Sequence, residues 1–249
     1  MVNGDKAMSE IFSRLEMLIG KEALKKLNSS KVAIFGVGGV GGYVAEALIR
    51  CGVGSFILLD NDTVSDSNIN RQIIADITTV GRYKTEVMRE RMLKINSAAK
   101  IEEIKTFYLP GDDLGFLSDC DYVVDAIDTV SSKIELAVWC EKASIPLISA
   151  MGAGNKLNPA MFEAADIYDT SVCPLCRVMR TNLRKRGVKS LKVVYSKEKP
   201  IAPVCHGNAE NDKERGAYCR PVPGSIQMAP AACGLIIAYE VVKDIIKQQ

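Results

Sequence analysis

The sequence predicts an α/β fold: a Rossmann-like, doubly wound and mostly parallel sheet with a C-terminal α+β extension. Three observations predict it. Short apolar runs alternate with stretches of helical periodicity, a glycine-rich turn follows the first run, and the second run ends on an acid. Alternation of this kind implies parallel strands joined by right-handed crossovers.

Residues 6–27 carry Ile11, Leu15, Leu18, Ile19 and Leu24 at helical spacing with charges between them, which predicts one or two amphipathic helices ahead of the sheet. Strands are then expected at "KVAIFG", "SFILLD", "KIEEIKTF", "CDYVVDAID" and "IPLISA", with helices over 40–51, 84–95 and 132–142. After Gly152 the pattern changes to a loop and strand in "MGAGNKLNPAMFEAADIYDT", a helix in "CPLCRVMRTNLRKRG" and a strand in "LKVVYS". Residues 197–223 are polar and rich in Pro, Gly and Asn, so a long mobile loop is expected there. A helix from about Pro230 to Lys247 closes the chain, with Pro230 suited to its first turn.

At 249 residues, 47% hydrophobic and 25% charged, the chain fits one globular unit with a sizeable core. Its expected parts are helices over 1–30, a nucleotide-binding core over 31–155 and a substrate-binding portion over 156–249. Charges interrupt residues 1–18 where a signal peptide needs an apolar core, and Glu240 breaks the longest late apolar run, so a cytoplasmic protein without membrane spans is expected. Eight cysteines in such a chain read as thiols or metal ligands rather than a disulfide framework. Cys51, Cys120 and Cys140 lie in apolar periodic segments and are expected in the core.

Gly36, Gly38 and Gly41 fit G-x-G-x-x-G, with Gly39 in the same loop, directly after an apolar strand and at the mouth of a helix. The first glycine permits the tight turn, the second admits phosphate to the backbone, and the third lets the helix lie close to the strand. Asp60, ending the next strand, is placed to accept hydrogen bonds from ribose hydroxyls. These features suit NAD and ATP equally. Arg71 and Lys84, in "DNDTVSDSNINRQ" and "GRYKTEVMRERM", favour ATP, because phosphoryl or nucleotidyl transfer needs cations that meet the charge on the leaving phosphates. Asn68 and Gln72 flank Arg71 in the first of these segments. In "VVDAIDTVSSK", Asp125 sits inside a strand end and Asp128 just beyond it; Asp128 is either a magnesium ligand or the N-cap of the next helix.

Taken in order, "GVGGVGGYVAEALIRCGVG", "LLDNDTVSDSNINRQ", "VGRYKTEVMRERM" and "VVDAIDTVSSK" resemble the ubiquitin-activating-enzyme-like superfamily of ATP-dependent adenylating proteins, over about residues 10–155. The resemblance implies that the glycine loop with Asp60, Asn68, Gln72, Arg71, Lys84 and Asp128 binds ATP and magnesium. It further implies a homodimer in which Arg14 reaches across to the partner's ATP phosphates. The implied chemistry is attack of a substrate carboxylate on the α-phosphorus, loss of pyrophosphate and capture of the acyl adenylate.

Two branches of that superfamily compete over the rest of the chain. Activators of ubiquitin-like sulfur-carrier proteins typically hold structural zinc with two C-x-x-C pairs; here Cys173 and Cys176 form one pair, and Cys205, His206, Cys219 and Cys233 are scattered alternatives. Without metal, Cys173 and Cys176 simply start a helix. "RVMRTNLRKRGVKSLKVVYSKEKP" and "VPGSIQMAPAACGLIIAYEVVKDI" instead resemble the branch that dehydrates threonylcarbamoyladenosine in tRNA. The residues agree: 177–199 hold nine Lys or Arg against one acid, Glu198, an excess suited to a phosphate backbone, with a solvated helix face as the alternative. ATP-dependent cyclisation of that modified nucleoside is therefore the expected activity, with carrier-protein adenylation next and an NAD-dependent oxidoreductase third.

Overall fold

The computed structural model describes residues 10–202 and 223–247. Two short helices come first, α1 (Ser13–Ile19) and α2 (Lys21–Ser29). The core then runs β1 (Lys31–Phe35), α3 (Gly41–Arg50), β2 (Ser55–Leu59), α4 (Lys84–Ile95), β3 (Lys100–Ile104), β4 (Tyr122–Asp125), α5 (Val130–Ala143) and β5 (Leu147–Ala150). The C-terminal part adds β6 (Phe162–Asp166), α6 (Pro174–Arg186), β7 (Lys192–Ser196) and α7 (Met228–Lys247). Among the described residues no helix is long and apolar enough to cross a membrane.

Seven strands form one sheet in the order β3-β2-β1-β4-β5-β7-β6, parallel except for β6 against β7. The C-terminal strands thus extend the central sheet, and the antiparallel pair is confined to its edge. Strand order reverses between β1 and β4, where sheets of this kind open a crevice at their carboxyl ends. Strands β1, β2 and β4 are buried almost throughout, as parallel strands covered on both faces must be.

Helix α7 is buried along Pro230, Cys233, Gly234, Ile237, Ala238, Val241 and Ile245, a three-and-four spacing that lays one stripe against the core. Gly234 lets α7 cross α3 closely, since a Cβ there would stand 2.7 Å from the Val40 carbonyl oxygen. Buried Glu46 of α3 takes Arg91 of α4 at 2.8 Å and Arg50 at 2.8 Å, tying two crossover helices together. Cys120 and Cys140 are buried as expected; Cys51 is only half-buried, because it caps the solvent end of α3.

Of the loop expected over 197–223, residues 203–222 lie outside the described residues. Its flanks meet at Asn155, whose carbonyl accepts from the Ile201 amide at 2.9 Å and whose amide donates to the Gly224 carbonyl at 2.7 Å. The Asn155 side chain also accepts from the Gly224 amide at 2.7 Å.

The glycine turn holds one of the tightest backbone approaches among the described residues. A Cβ on Gly41 would stand 1.8 Å from the Gly36 carbonyl oxygen, whereas one on Gly38 would meet nothing closer than 3.7 Å. Gly41→Ala is expected to destabilise the fold by about 1–3 kcal/mol, and Gly38→Ala by less than about 0.5 kcal/mol. Urea unfolding of the two variants reads the contrast.

Candidate active site

The candidate site is built on the carboxyl ends of β1, β2 and β4. Leaving β1, the chain turns at Gly36, with φ of +87°, and runs through Gly38 and Gly39 into the first turn of α3. The amides of that turn and the helix dipole face the crevice, which makes the loop receptive to an anion. Asp60 closes it from β2: its carboxylate accepts from the Val37 amide at 2.7 Å and the Asp62 amide at 2.9 Å. Two oxygens carry about four acceptor positions, so Asp60 keeps capacity for a hydroxyl donor. Burial pushes the Asp60 carboxyl above its ordinary range, against the Lys84 ammonium and the two amides.

Lys84 is the first residue of α4 and is buried, with Nζ 2.6 Å from the exposed Asp62 carboxylate. A cation at a helix N-terminus opposes the helix dipole. Asp62 offsets that cost in the free chain, and an anion placed in the crevice can take over the same ammonium. Sequence reasoning passed over Asp62, although its place two residues after Asp60 was visible.

The segment from Asp66 to Gln72 folds against the glycine loop. Asn68 ends a 3₁₀ turn, is buried, and accepts from the Ser65 amide at 3.1 Å, so its carbonyl oxygen shapes the loop. Arg71 is half-buried; its guanidinium donates to the Ser67 carbonyl at 2.5 Å and the Asn70 side chain at 3.0 Å, and its Cγ would lie 3.9 Å from a Cβ on Gly39. Gln72 brings its Nε2 to 3.7 Å from where a Cβ on Gly38 would stand and is 7% exposed, and its Oε1 has no hydrogen-bond partner among the described residues. A buried acceptor without a donor costs about 1–3 kcal/mol. An orphaned acceptor on a side chain that borders the glycine loop fits a bound donor in the crevice. Pro230 of α7 also covers Gly39, a contact between residues distant in sequence that no local pattern announces.

Asp128 lies exposed beyond β4, its Oδ1 contacted by the Thr129 hydroxyl at 3.3 Å. The N-cap of α5 is Thr129, so the reading of Asp128 as a helix cap is corrected: it stands one residue earlier. Beneath it, fully buried Asp125 pairs with fully buried Lys133, a lysine the sequence reading passed over. Its signal was present, because Lys133 shares a helical face with Leu136, Ala137 and Cys140.

Three further groups of expected residues lie away from the crevice within the single chain. Arg14 is exposed on α1, whose neighbour Phe12 packs near Gly52 at the far end of α3, about 15 Å of helix from the glycine loop. Within one chain it is not brought to the crevice. Cys173 and Cys176 do start a helix, α6, and both are buried; the Cys176 thiol, with first-turn amides and the nearby Lys156, holds the Cys173 thiol down to about 6 despite burial. Among the described residues no cluster of three metal-ligating side chains exists, Cys233 is buried in a different part of the core, and Cys205, His206 and Cys219 lie outside the described residues. The basic segment is also less free than its composition suggests. Arg180 is committed to Thr170, Arg186 to Glu135, Lys192 to Glu240 and Asp244, Lys197 to Glu163, and Arg184 lies over the Tyr168 ring.

The sequence profile of the ThiF family matches residues 12–249. The chain belongs to the ThiF family. It is 42% identical to a tRNA threonylcarbamoyladenosine dehydratase of Bacillus subtilis, over 95% of this chain and 94% of that protein. The crystal structure of Escherichia coli tRNA N6-threonylcarbamoyladenosine dehydratase in complex with ATP superposes with a TM-score of 0.85 at 30% identity, covering 96% of this chain and 95% of that one. Similarity to the molybdopterin-synthase adenylyltransferase of Escherichia coli, 36% identical, spans only 52% of this chain and 51% of that protein. Likeness to this adenylyltransferase thus covers about half of the chain, while likeness to the dehydratases covers nearly all of it.

The electrostatics of the crevice give a direct expectation. Because the folded-state pKa of Asp60 is raised, the native state keeps a proton that the unfolded chain has lost, and stability present below the unfolded value of 3.8 falls as pH rises through the folded value. Lys84→Met removes the cation opposing this shift. NMR titration of the Asp60 carboxyl in that variant should therefore show a higher midpoint than in the parent.

Proposed function

We propose that this chain is an ATP-dependent tRNA threonylcarbamoyladenosine dehydratase, working as a single adenylating unit. One observation carries the reading: a glycine loop, an orphaned buried acceptor, Arg71, Lys84 and Asp128 gather at one end of the sheet, in a chain that matches a dehydratase over nearly the whole length of both. The molybdopterin-synthase adenylyltransferase of Escherichia coli matches only about half of this chain.

In this reading the glycine-loop amides, with Gly36, Gly38, Gly39 and Gly41, receive the phosphates of ATP. Asp60 accepts from the ribose, while Asn68 and Gln72 line the same wall. The threonyl carboxylate of the modified nucleoside attacks the α-phosphorus, an oxygen–phosphorus bond forms, and pyrophosphate leaves. Lys84, exchanging Asp62 for phosphate, and Arg71 meet the charge that grows on the leaving group. A nitrogen of the carbamoyl group then attacks the acyl carbon, AMP departs with the carboxyl oxygen, and the ring closes with net loss of one water. The nucleophile is intramolecular, so the protein supplies position and charge rather than a reacting side chain. Magnesium, if it joins the reaction, would be held by Asp128 with phosphate oxygens and would supply Lewis-acid stabilisation.

Arg14 enters only if two copies meet. Met17 and Leu18 on the same helix are 86% and 82% exposed, an apolar surface suited to burial against a second protomer. The anticodon stem is expected to contact Arg177, Lys185 and Lys189, which are exposed on α6 and the turn after it. A cytoplasmic location follows from a tRNA substrate.

Incubation with ATP and tRNA bearing threonylcarbamoyladenosine, followed by nucleoside mass spectrometry, should show loss of one water and stoichiometric pyrophosphate. Pyrophosphate released only with a carrier ending in Gly-Gly would overturn the reading. Gly38→Ala should unfold like the parent yet bind ATP weakly, which equilibrium dialysis would show. Replacing Arg177, Lys185 and Lys189 with Gln should weaken tRNA binding and reduce its salt slope by roughly 0.7–0.9 per lost phosphate contact. An unchanged slope would return α6 to an ordinary solvated face.

A further inference from the structure

Asp125, the last residue of β4, and Lys133, in the first turns of α5, are each fully buried and stand 2.9 Å apart. Their contacts meet at one residue. The Asp125 carboxylate accepts from the Ile127 amide at 3.1 Å and from the buried Ser149 hydroxyl at 2.5 Å. Lys133 donates to the Ile127 carbonyl at 3.1 Å. Both polar groups of Ile127 are therefore held by one buried ion pair, and Asp128 is the next residue in the chain.

Burying such a pair removes two charges from water, and apolar residues of similar volume commonly match or exceed its stability. Its contribution here is directional. Without it, the segment from Ala126 to Asp128 would be held on its sheet side by the Ala126 amide, which donates to the Phe35 carbonyl at 2.8 Å, and by the packing of Gly36 on Ala126. Those contacts fix the floor of the glycine loop, and the Ile127 side chain packs on the core, but none of them holds the Ile127 amide or carbonyl, whose side-chain partners are Asp125 and Lys133.

We infer that Asp125 and Lys133 are positioning residues, which lock the Ile127 peptide and thereby aim the Asp128 carboxylate into the crevice. Neither touches substrate. The inference rests on the role given to Asp128 under the proposed function, and its test separates the two.

The test uses the full chain with Asp125→Leu and Lys133→Met combined, so that no unpaired charge is left in the core. Thermal unfolding, ATP binding, and pyrophosphate release with modified tRNA across a magnesium titration are measured. The double variant should fold and bind ATP like the parent, but turn over about 10- to 100-fold more slowly, as when a group that orients a metal ligand is lost. Its half-saturating magnesium concentration should rise. A folded double variant with parental turnover and magnesium dependence would falsify the positioning role. Asp128→Asn is measured beside it: parental turnover there would overturn the role of Asp128 itself, independently of the pair. Should the double variant not fold, Asp125→Asn keeps the shape of the side chain while weakening its hold on Lys133, and parental magnesium dependence in that variant overturns the inference equally.

Discussion

The close approach of Gly36 and Gly41 is the constraint on which the site depends. With no Cβ at position 41, the first turn of α3 sits directly on the carbonyl of the turn that leaves β1. That contact aims the first amides of α3 at the crevice between β1 and β4. Gly36 in turn packs on Ala126, so the glycine loop and the end of β4 share one floor. An anion site on backbone amides needs this rigidity, because its donors have no side-chain rotamers with which to adjust.

Around that backbone the charges are arranged for exchange. Lys84 is held by Asp62 in the free chain, Arg71 by the Ser67 carbonyl and the Asn70 side chain, and Gln72 keeps an acceptor without a partner. Under the proposed function, an anion or a donor entering the crevice would find these groups already in place. In that reading the cations are pre-placed by their present partners, which would keep the reorganisation on binding small. Asp125 and Lys133 differ: their pairing is fully buried, and its partners are part of the fold.

The C-terminal part shows how structure redistributes what composition suggests. Nine basic residues over 177–199 looked like one positive surface, but several neutralise acids of α5, β6 and α7 or brace the turn at Thr170. The exposed charge that takes part in none of these contacts is at Arg177, Lys185, Lys189 and Lys199. Cys173 and Cys176, which matched half of a zinc knuckle in sequence, begin α6 as a buried thiol pair.

The sequence by itself determined the element types, because burial on one side or on both leaves a local periodicity of 3.6 or a continuous apolar run, and these need no knowledge of neighbours. It likewise determined the glycine turn, Asp60 and the Arg71 and Lys84 pair, since each lies within a few residues of a strand end or helix start. Tertiary packing alone sets that β7 inserts between β5 and β6, that Pro230 covers Gly39, that Lys133 holds Ile127, and which cations of α6 pair with acids among the described residues. Strand order and ion pairing join residues far apart in the chain, and their energies depend on distance and burial. A linear pattern records neither.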